Sequence, residues 1–388
     1  MIKLNYKQLV FSGLILFFYP LAAEPFFSEY EGFIESIREA KAVVYELEDG
    51  EEFRTEWHRL SAELANSLPR LQTLLDLQKK IGNVRELRTI ANGNHLVFKA
   101  LLNDRKILIV KCFKPHQLHE FVDEIWAYAF FDGRIPAPQI YQIGRIGTPE
   151  VCYIVEEYIE GVGLYDRYKR FTKMGGYPRK WELDQLLLIT KKWGEAMGRL
   201  QNLSVKSSIH DYPRVKGSIL KIAKEACARL GSLGVEALEI FEEVIEEGGI
   251  LLGVGHGDAH PVNMLIVDKE IVFIDLEKAG ALISPEGRGT GLLHFDFAYA
   301  ACVFQQLLVD GLTQEERELL TEAVREGFYH VRGEVPNEQT LLFHILVRLF
   351  KDARHHPGGD PNAEHHNTSF NQLKSQIAEV VSCLKAIL

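Results

Sequence analysis

The chain changes hydrophobic period along its length, and that change limits its fold more than any other feature. From Val84 to Phe113, "VRELRTIANGNHLVFKALLNDRKILIVKCF" alternates short β-rich runs with turn signals at "ANGN" and "LNDR", which predicts three antiparallel strands joined by hairpins. An amphipathic helical stretch, "QLHEFVDEIWAYAFFDG", follows, and "PQIYQIG" and "VCYIVEEYIEG" predict two further strands. Beyond Gly161 the periodicity is mostly helical, as over 181–203 and 215–247. The exception is a pair of short β-like runs, "MLIVD" and "EIVFID". Ahead of all this, residues 24–83 carry apolar positions at helical spacing, with no visible chemistry. The expected fold class is therefore α+β. A small antiparallel β-rich lobe (84–160) precedes a larger helical lobe (161–388), with a helical N-terminal extension that serves packing or a partner.

Charge and cysteine content narrow the function. A formal net charge of −10 excludes a general nucleic-acid binder, which needs a basic stripe to displace counterions. The five cysteines are scattered and form no C-x-x-C pair, so buried thiols are expected rather than a disulfide framework or a zinc ribbon. The N-terminus points to export. Lys3 and Lys7 precede an apolar run from Leu9 to Tyr19 and the small residues Ala22 and Ala23, the layout of a secretory signal peptide over 1–23. The run is short for a membrane span, which takes ~20 residues. A hydrophobic anchor touching membrane or export machinery, or an apolar cytoplasmic helix, is the alternative, and the cysteine usage sits uneasily with export.

The chemistry concentrates at 255–263, "GHGDAHPVN", and in "VFIDLEKAG" just after it. Asp258 and Asn263 lie five apart in a segment held irregular by Gly255, Gly257 and Pro261. A carboxylate beside an incoming hydroxyl can orient it or take its proton. A side-chain amide oxygen is a hard ligand suited to Mg²⁺, and Asp275 at the end of the following run can add a carboxylate. One base and two oxygen ligands are what phosphoryl transfer requires. A zinc site on His256 and His260 would need a helix that Gly257 and Pro261 disfavour, and no third ligand of suitable spacing follows. A purely structural polar turn rarely combines so many ligand types.

"HGDAHPVN" followed by "FIDLE" resembles the H-G-D-x-H-x-x-N … I-D-[FL]-[ED] signature of the aminoglycoside phosphotransferase and choline kinase superfamily, whose fold is like that of protein kinases. Ala259 stands where that family often has Leu. The resemblance implies a bilobal, ATP- and Mg²⁺-dependent phosphotransferase acting on a small-molecule hydroxyl. Asp258 would be the catalytic base, Asn263 and Asp275 the metal ligands, and His256 and His260 the loop's supports. It also implies a phosphate-holding lysine. Lys111 ends "KILIVK", and Glu124 precedes the "IPAP" turn as the family's helix glutamate does, with Glu120 one turn earlier as the rival partner. By the same resemblance Gly93 in "ANGNH" would cover the phosphates, Glu157, Tyr158 and Ile159 would meet the adenine through their backbone, and Asp296 in "HFDFAYAA" would brace the catalytic loop. As a mere N-cap Asp296 would look the same, and Glu277 fits either the metal's vicinity or solvent.

Two other functions stay open at this level. A protein kinase should carry an activation loop and an A-P-E-like anchor after the metal motif, and "KAGALISPEGRGTGLLHFD" is short and lacks the anchor. A pseudokinase would bind nucleotide or a partner without catalysis. The acceptor and the oligomeric state are not readable, and "RHHPGGDPNAEHH" reads as a solvated surface loop.

Overall fold

The computed structural model describes residues 30–388 except 48–49, 73, 83, 93–94, 148–150, 204, 248, 307–310 and 356–369. The signal-like segment, Gly93 and the His-rich tract from His356 onward lie outside the described residues. No helix among the described residues is long and apolar enough to cross a membrane.

The extension forms helices α1 (Glu31–Tyr45), α2 (Gly50–Ser67) and α3 (Leu74–Ile81), as its periodicity predicts. The two residues of β1 (Arg70–Leu71) break the pattern: they pair in parallel with β5 (Ile140–Ile146), so the extension contributes a strand to the sheet. The predicted hairpins are β2 (Val84–Asn92), β3 (Leu96–Leu102) and β4 (Ile107–Phe113), and β6 (Val151–Glu157) completes a six-stranded sheet in the order β1-β5-β6-β4-β3-β2. Helix α4 (Leu118–Phe131) lies between β4 and β5 in the chain, and Phe121, Val122 and Ile125 are fully buried.

Past the sheet, β7 (Val162–Gly163), α5 (Leu164–Thr172) and the long α6 (Gly176–Gln201) lead through β8 (Ser207–Ser208) into α7 (Pro213–Leu230) and α8 (Ser232–Glu246). The sequence reads 215–247 as continuous helical texture, but Gly231 stands at φ 68° and splits it. This is backbone that glycine adopts without the Cβ clash other residues meet. Then come β9 (Leu251–Gly253), the hairpin of β10 (Met264–Val267) and β11 (Glu270–Phe273), α9 (Glu277–Ala281), β12 (Gly291–Leu292), α10 (Phe295–Gln306), α11 (Gln314–Arg332), α12 (Glu338–His355) and α13 (Phe370–Ile387). The hairpin turns on Asp268 and Lys269, at φ 49° and 70°, the twist-matched geometry of a two-residue β-turn.

One apolar core runs from Ile37, Val44 and Trp57 of the extension through α4 to Phe273, Phe297 and Phe328, so the extension, the small lobe and the helical lobe share buried surface. A second core holds α7, α8, α12 and α13 together.

Candidate active site

The polar loop lies between β9 and β10, and buried hydrogen bonds hold it in place. His256 is fully buried; its Nε2 donates to the Ile274 carbonyl at 3.0 Å. Asp296, in the first turn of α10, turns its carboxylate onto the loop rather than capping its own helix. Its oxygens accept the His256 N–H at 2.6 Å and the Gly257 N–H at 3.1 Å. Gly255 has to be glycine here, because a Cβ would fall 2.6 Å from Asp296 Oδ2. His260 Nδ1 accepts the Val262 N–H at 3.1 Å, which requires that nitrogen to be unprotonated. Burial lowers the His260 pKa, with Arg348 adding and Asp258 opposing, and the ring stays neutral.

Within this frame Asn263 Nδ2 donates to the Asp258 carbonyl at 3.0 Å and to Asp258 Oδ2 at 3.2 Å. The amide oxygen of Asn263 is thereby left facing away from Asp258. The Ile274 N–H donates to the Asn263 carbonyl at 3.0 Å, tying the loop to the second motif. Asp275 follows at φ 63°, a left-handed conformation costly for a residue with a Cβ and common at functional sites.

Lys111 reaches this point from β4. Its Nζ sits 2.7 Å from Glu124 Oε2, contacts Asp275 Oδ1 directly and lies 4.0 Å from Glu277 Oε2. Glu120, the rival partner, instead faces His95 at 3.6 Å and Lys278 at 3.7 Å. Burial works against the Lys111 charge, but Glu124, Asp275 and Glu277 together raise its pKa, so it stays an ammonium. Burial raises the Glu124 carboxyl well above the usual carboxylate range, with Lys111 pulling it back and Asp275 and Glu156 adding to the rise. Glu277, ambiguous in the sequence, is buried. Its carboxyl is driven up by burial but held at about 2 by His95, Lys278 and Lys111, with the His95 Nε2 bond at 2.7 Å.

The ligand atoms of His95, Asp275 and Glu277 lie within 4.8 Å of one another. Asp275 and the amide oxygen of Asn263 are hard oxygen donors of the kind Mg²⁺ takes. At the hinge, the Glu157 N–H donates to the Gln139 carbonyl at 2.8 Å. The Tyr158 ring lies under Lys99 Nζ at 3.9 Å.

Sequence reasoning missed His95, Glu156 and a basic pair on α12. Glu156 accepts from Tyr128 Oη at 2.8 Å, beneath the Lys111 cluster. On α12 the Arg348 guanidinium lies 4.6 Å from the Tyr299 ring, which is itself 5.8 Å from the His260 ring. Lys351 lies 4.2 Å from the Phe295 ring. Burial, with Arg348, lowers the Lys351 pKa to about 8 against the pull of Asp296 and Asp258. A lysine on a helix of this texture gives no sequence signal of such a position; only its neighbours in space reveal it.

An aminoglycoside phosphotransferase, solved as a thermostable mutant in a ternary complex with AMP-PNP and hygromycin B, superposes on this chain with a TM-score of 0.50. It is 15% identical, and the match covers 79% of this chain and 96% of that one. The chain has the aminoglycoside phosphotransferase fold. This kinase-like fold accounts for the bilobal layout and for the position of the loop between the lobes. Also similar are an amicoumacin kinase in complex with AMP-PNP, Ca²⁺ and its ligand (TM-score 0.48, 12% identity, 81% and 93% covered) and a glucosamine kinase in complex with glucosamine, ADP and inorganic phosphate (0.47, 13%, 78% and 80%). No family model matches the chain, and no curated protein matches it. Motif and fold therefore meet here without overall sequence likeness.

Proposed function

We propose that the chain is an ATP-dependent phosphotransferase that moves the γ-phosphoryl group to a hydroxyl of a small molecule. One observation carries this reading: Lys111, paired with Glu124, converges on Asp275, whose neighbour Ile274 is hydrogen-bonded to Asn263 of the Asp258 loop, so the groups that phosphoryl transfer would use lie on joined segments. Asn263 and Asp275 would hold Mg²⁺, which when bound neutralises charge on the phosphates. Asp258 orients the acceptor hydroxyl and takes its proton as the new O–P bond forms and the bond to the β-phosphate oxygen breaks, releasing ADP. His256, His260 and Asp296 keep the Asp258 backbone rigid while this happens.

Between α9 and α10 the chain is short and tied to itself. The Ser284 N–H donates to the Arg288 carbonyl at 2.8 Å, and the Thr290 N–H to the Leu282 carbonyl at 2.8 Å. This closed segment supports a small acceptor over a peptide laid along an activation loop. Asp258→Asn should abolish transfer while ATP still binds, read by a coupled ADP assay over a panel of hydroxyl acceptors beside nucleotide titration. Full turnover in that variant would remove the assignment.

A further inference from the structure

The extension puts one of its charges where a charge is costly. Lys41, in α1, is 2% exposed, and moving an ammonium out of water is costly unless partners replace its hydration. Its partners are specific. Nζ lies 3.0 Å from Asp123 Oδ1 and 3.0 Å from the Gly280 carbonyl, and 4.7 Å from the Trp57 ring centre. Trp57, from α2, donates its indole N–H to the other Asp123 oxygen at 3.2 Å. Both oxygens of one α4 carboxylate are thus satisfied by the extension.

Those partners sit at a junction. Asp123 is the residue before Glu124, the Lys111 partner, and Gly280 lies in α9, which begins two residues after Asp275. The two helices touch backbone to backbone: a Cβ on Gly280 would fall 1.7 Å from the Asp123 carbonyl oxygen. Lys41 bridges α4 and α9 at that contact, so it joins the two elements that supply the carboxylates around Lys111. Its neighbour Tyr45 touches the Ala281 carbonyl at 3.4 Å. The extension is held on its far side by Arg214 of α7, which donates to the Val44 carbonyl at 3.2 Å and lies 3.8 Å from the Phe53 ring.

We infer that the N-terminal extension is a built-in clamp, with Lys41 as the positioning residue that keeps Glu124 on Lys111 and α4 in register with the Asp275 turn. The inference rests on the phosphotransferase reading for its catalytic consequence, but not for its structural one. Without the clamp α4 is free to swing and the nucleotide-competent arrangement becomes a minor one. Apparent affinity then falls by the competent fraction, so a state populated at ~10% raises the Kd ~10-fold.

The test uses the full chain with Lys41→Met, Lys41→Arg and, as a control on an exposed ion pair of the same extension, Arg59→Ala. Two measurements are made: AMP-PNP affinity with Mg²⁺ by calorimetry, and amide hydrogen exchange along α4. Lys41→Met should weaken AMP-PNP about tenfold or more and speed exchange around Glu124. Lys41→Arg should recover part of both, and Arg59→Ala should change neither. If Lys41→Met does not fold, Trp57→Phe, which removes only the N–H to Asp123, should show the same two changes to a smaller degree. Wild-type affinity and α4 exchange in Lys41→Met, or in Trp57→Phe where that is the variant that folds, would overturn the clamp. A wild-type chain that binds no AMP-PNP would instead defeat the phosphotransferase reading, while α4 exchange still reports on the clamp.

Discussion

At the scale of single residues, the candidate site is held by a few atoms with no slack between them. The Asp296 carboxylate accepts two adjacent backbone N–H groups, and Gly255 leaves space for it by having no Cβ. Either Asp296→Ala or Gly255→Ala should therefore displace the loop, and with it Asp258, while leaving Lys111 and Glu124 in place. A shift of ~1 Å in a reacting group costs on the order of 100-fold in rate. Both variants should lower kcat by about that factor with little change in nucleotide affinity, measured side by side. Equal losses of kcat and nucleotide affinity would mean that Asp296 supports the whole cleft rather than the loop. The types and spacing of these loop residues were readable in the sequence, because a Gly-flanked H-G-D-x-H-x-x-N run has few physical uses. Lys41, His95, Glu156 and Lys351 were not readable. Each acts through partners 80 or more residues away or on another element, and neither period nor spacing encodes such contacts.

At the scale of elements, the alternation over 84–113 and the run pair after the polar loop produced the strands they predict, because a half-buried sheet imposes a period of two on side chains. Strand β1 carries no signal in the sequence, since two residues are too few to show a period. The sequence also conceals the break at Gly231, where helical texture continues on both sides. Glycine matters most where helices meet. A Cβ on Gly194 of α6 would fall 2.2 Å from the Val324 carbonyl oxygen, and one on Gly327 of α11 would fall 1.9 Å from the Lys191 carbonyl oxygen. Alanine is favoured over glycine within a helix by ~1 kcal/mol. Overpacking a fixed backbone contact costs typically ~1–3 kcal/mol, occasionally more, and here the obstacle is backbone, which yields least. The clash should win, so Gly327→Ala should lower the urea midpoint rather than raise it. A raised midpoint would show that α6 and α11 can separate freely.

At the scale of the whole molecule, the helical lobe is closed over two neutral histidines. His294 enters α10 and His344 lies in α12; their rings are 5.9 Å apart, and His294 also meets Phe328 of α11 at 6.2 Å. Burial lowers the His294 pKa to about 3, with His344, Arg332 and Lys206 adding and Glu334 opposing. Burial lowers His344 to about 4 against its bond to the Thr340 carbonyl. Above pH ~6.5 both are neutral in the folded and unfolded chain and contribute no pH dependence. As pH falls through ~6.5 the unfolded chain takes up protons that the folded one refuses, so stability drops until the folded pKa values are reached. Each group removes ~1.4 kcal/mol per pH unit in that window, or ~4 kcal/mol for the pair between pH 6.5 and 5. That is a large part of the ~5–15 kcal/mol that holds a typical protein together. Urea unfolding at pH 7.5 and pH 5 should show a steep loss in the wild type. In His344→Leu the loss between the two pH values should shrink by ~2 kcal/mol, with His294, His119 and His260, all lowered by burial, still contributing. An unchanged loss would mean that the acid limb comes from other groups. The chain would then owe its acid sensitivity to groups elsewhere, such as His119 and His260, rather than to this junction of three helices.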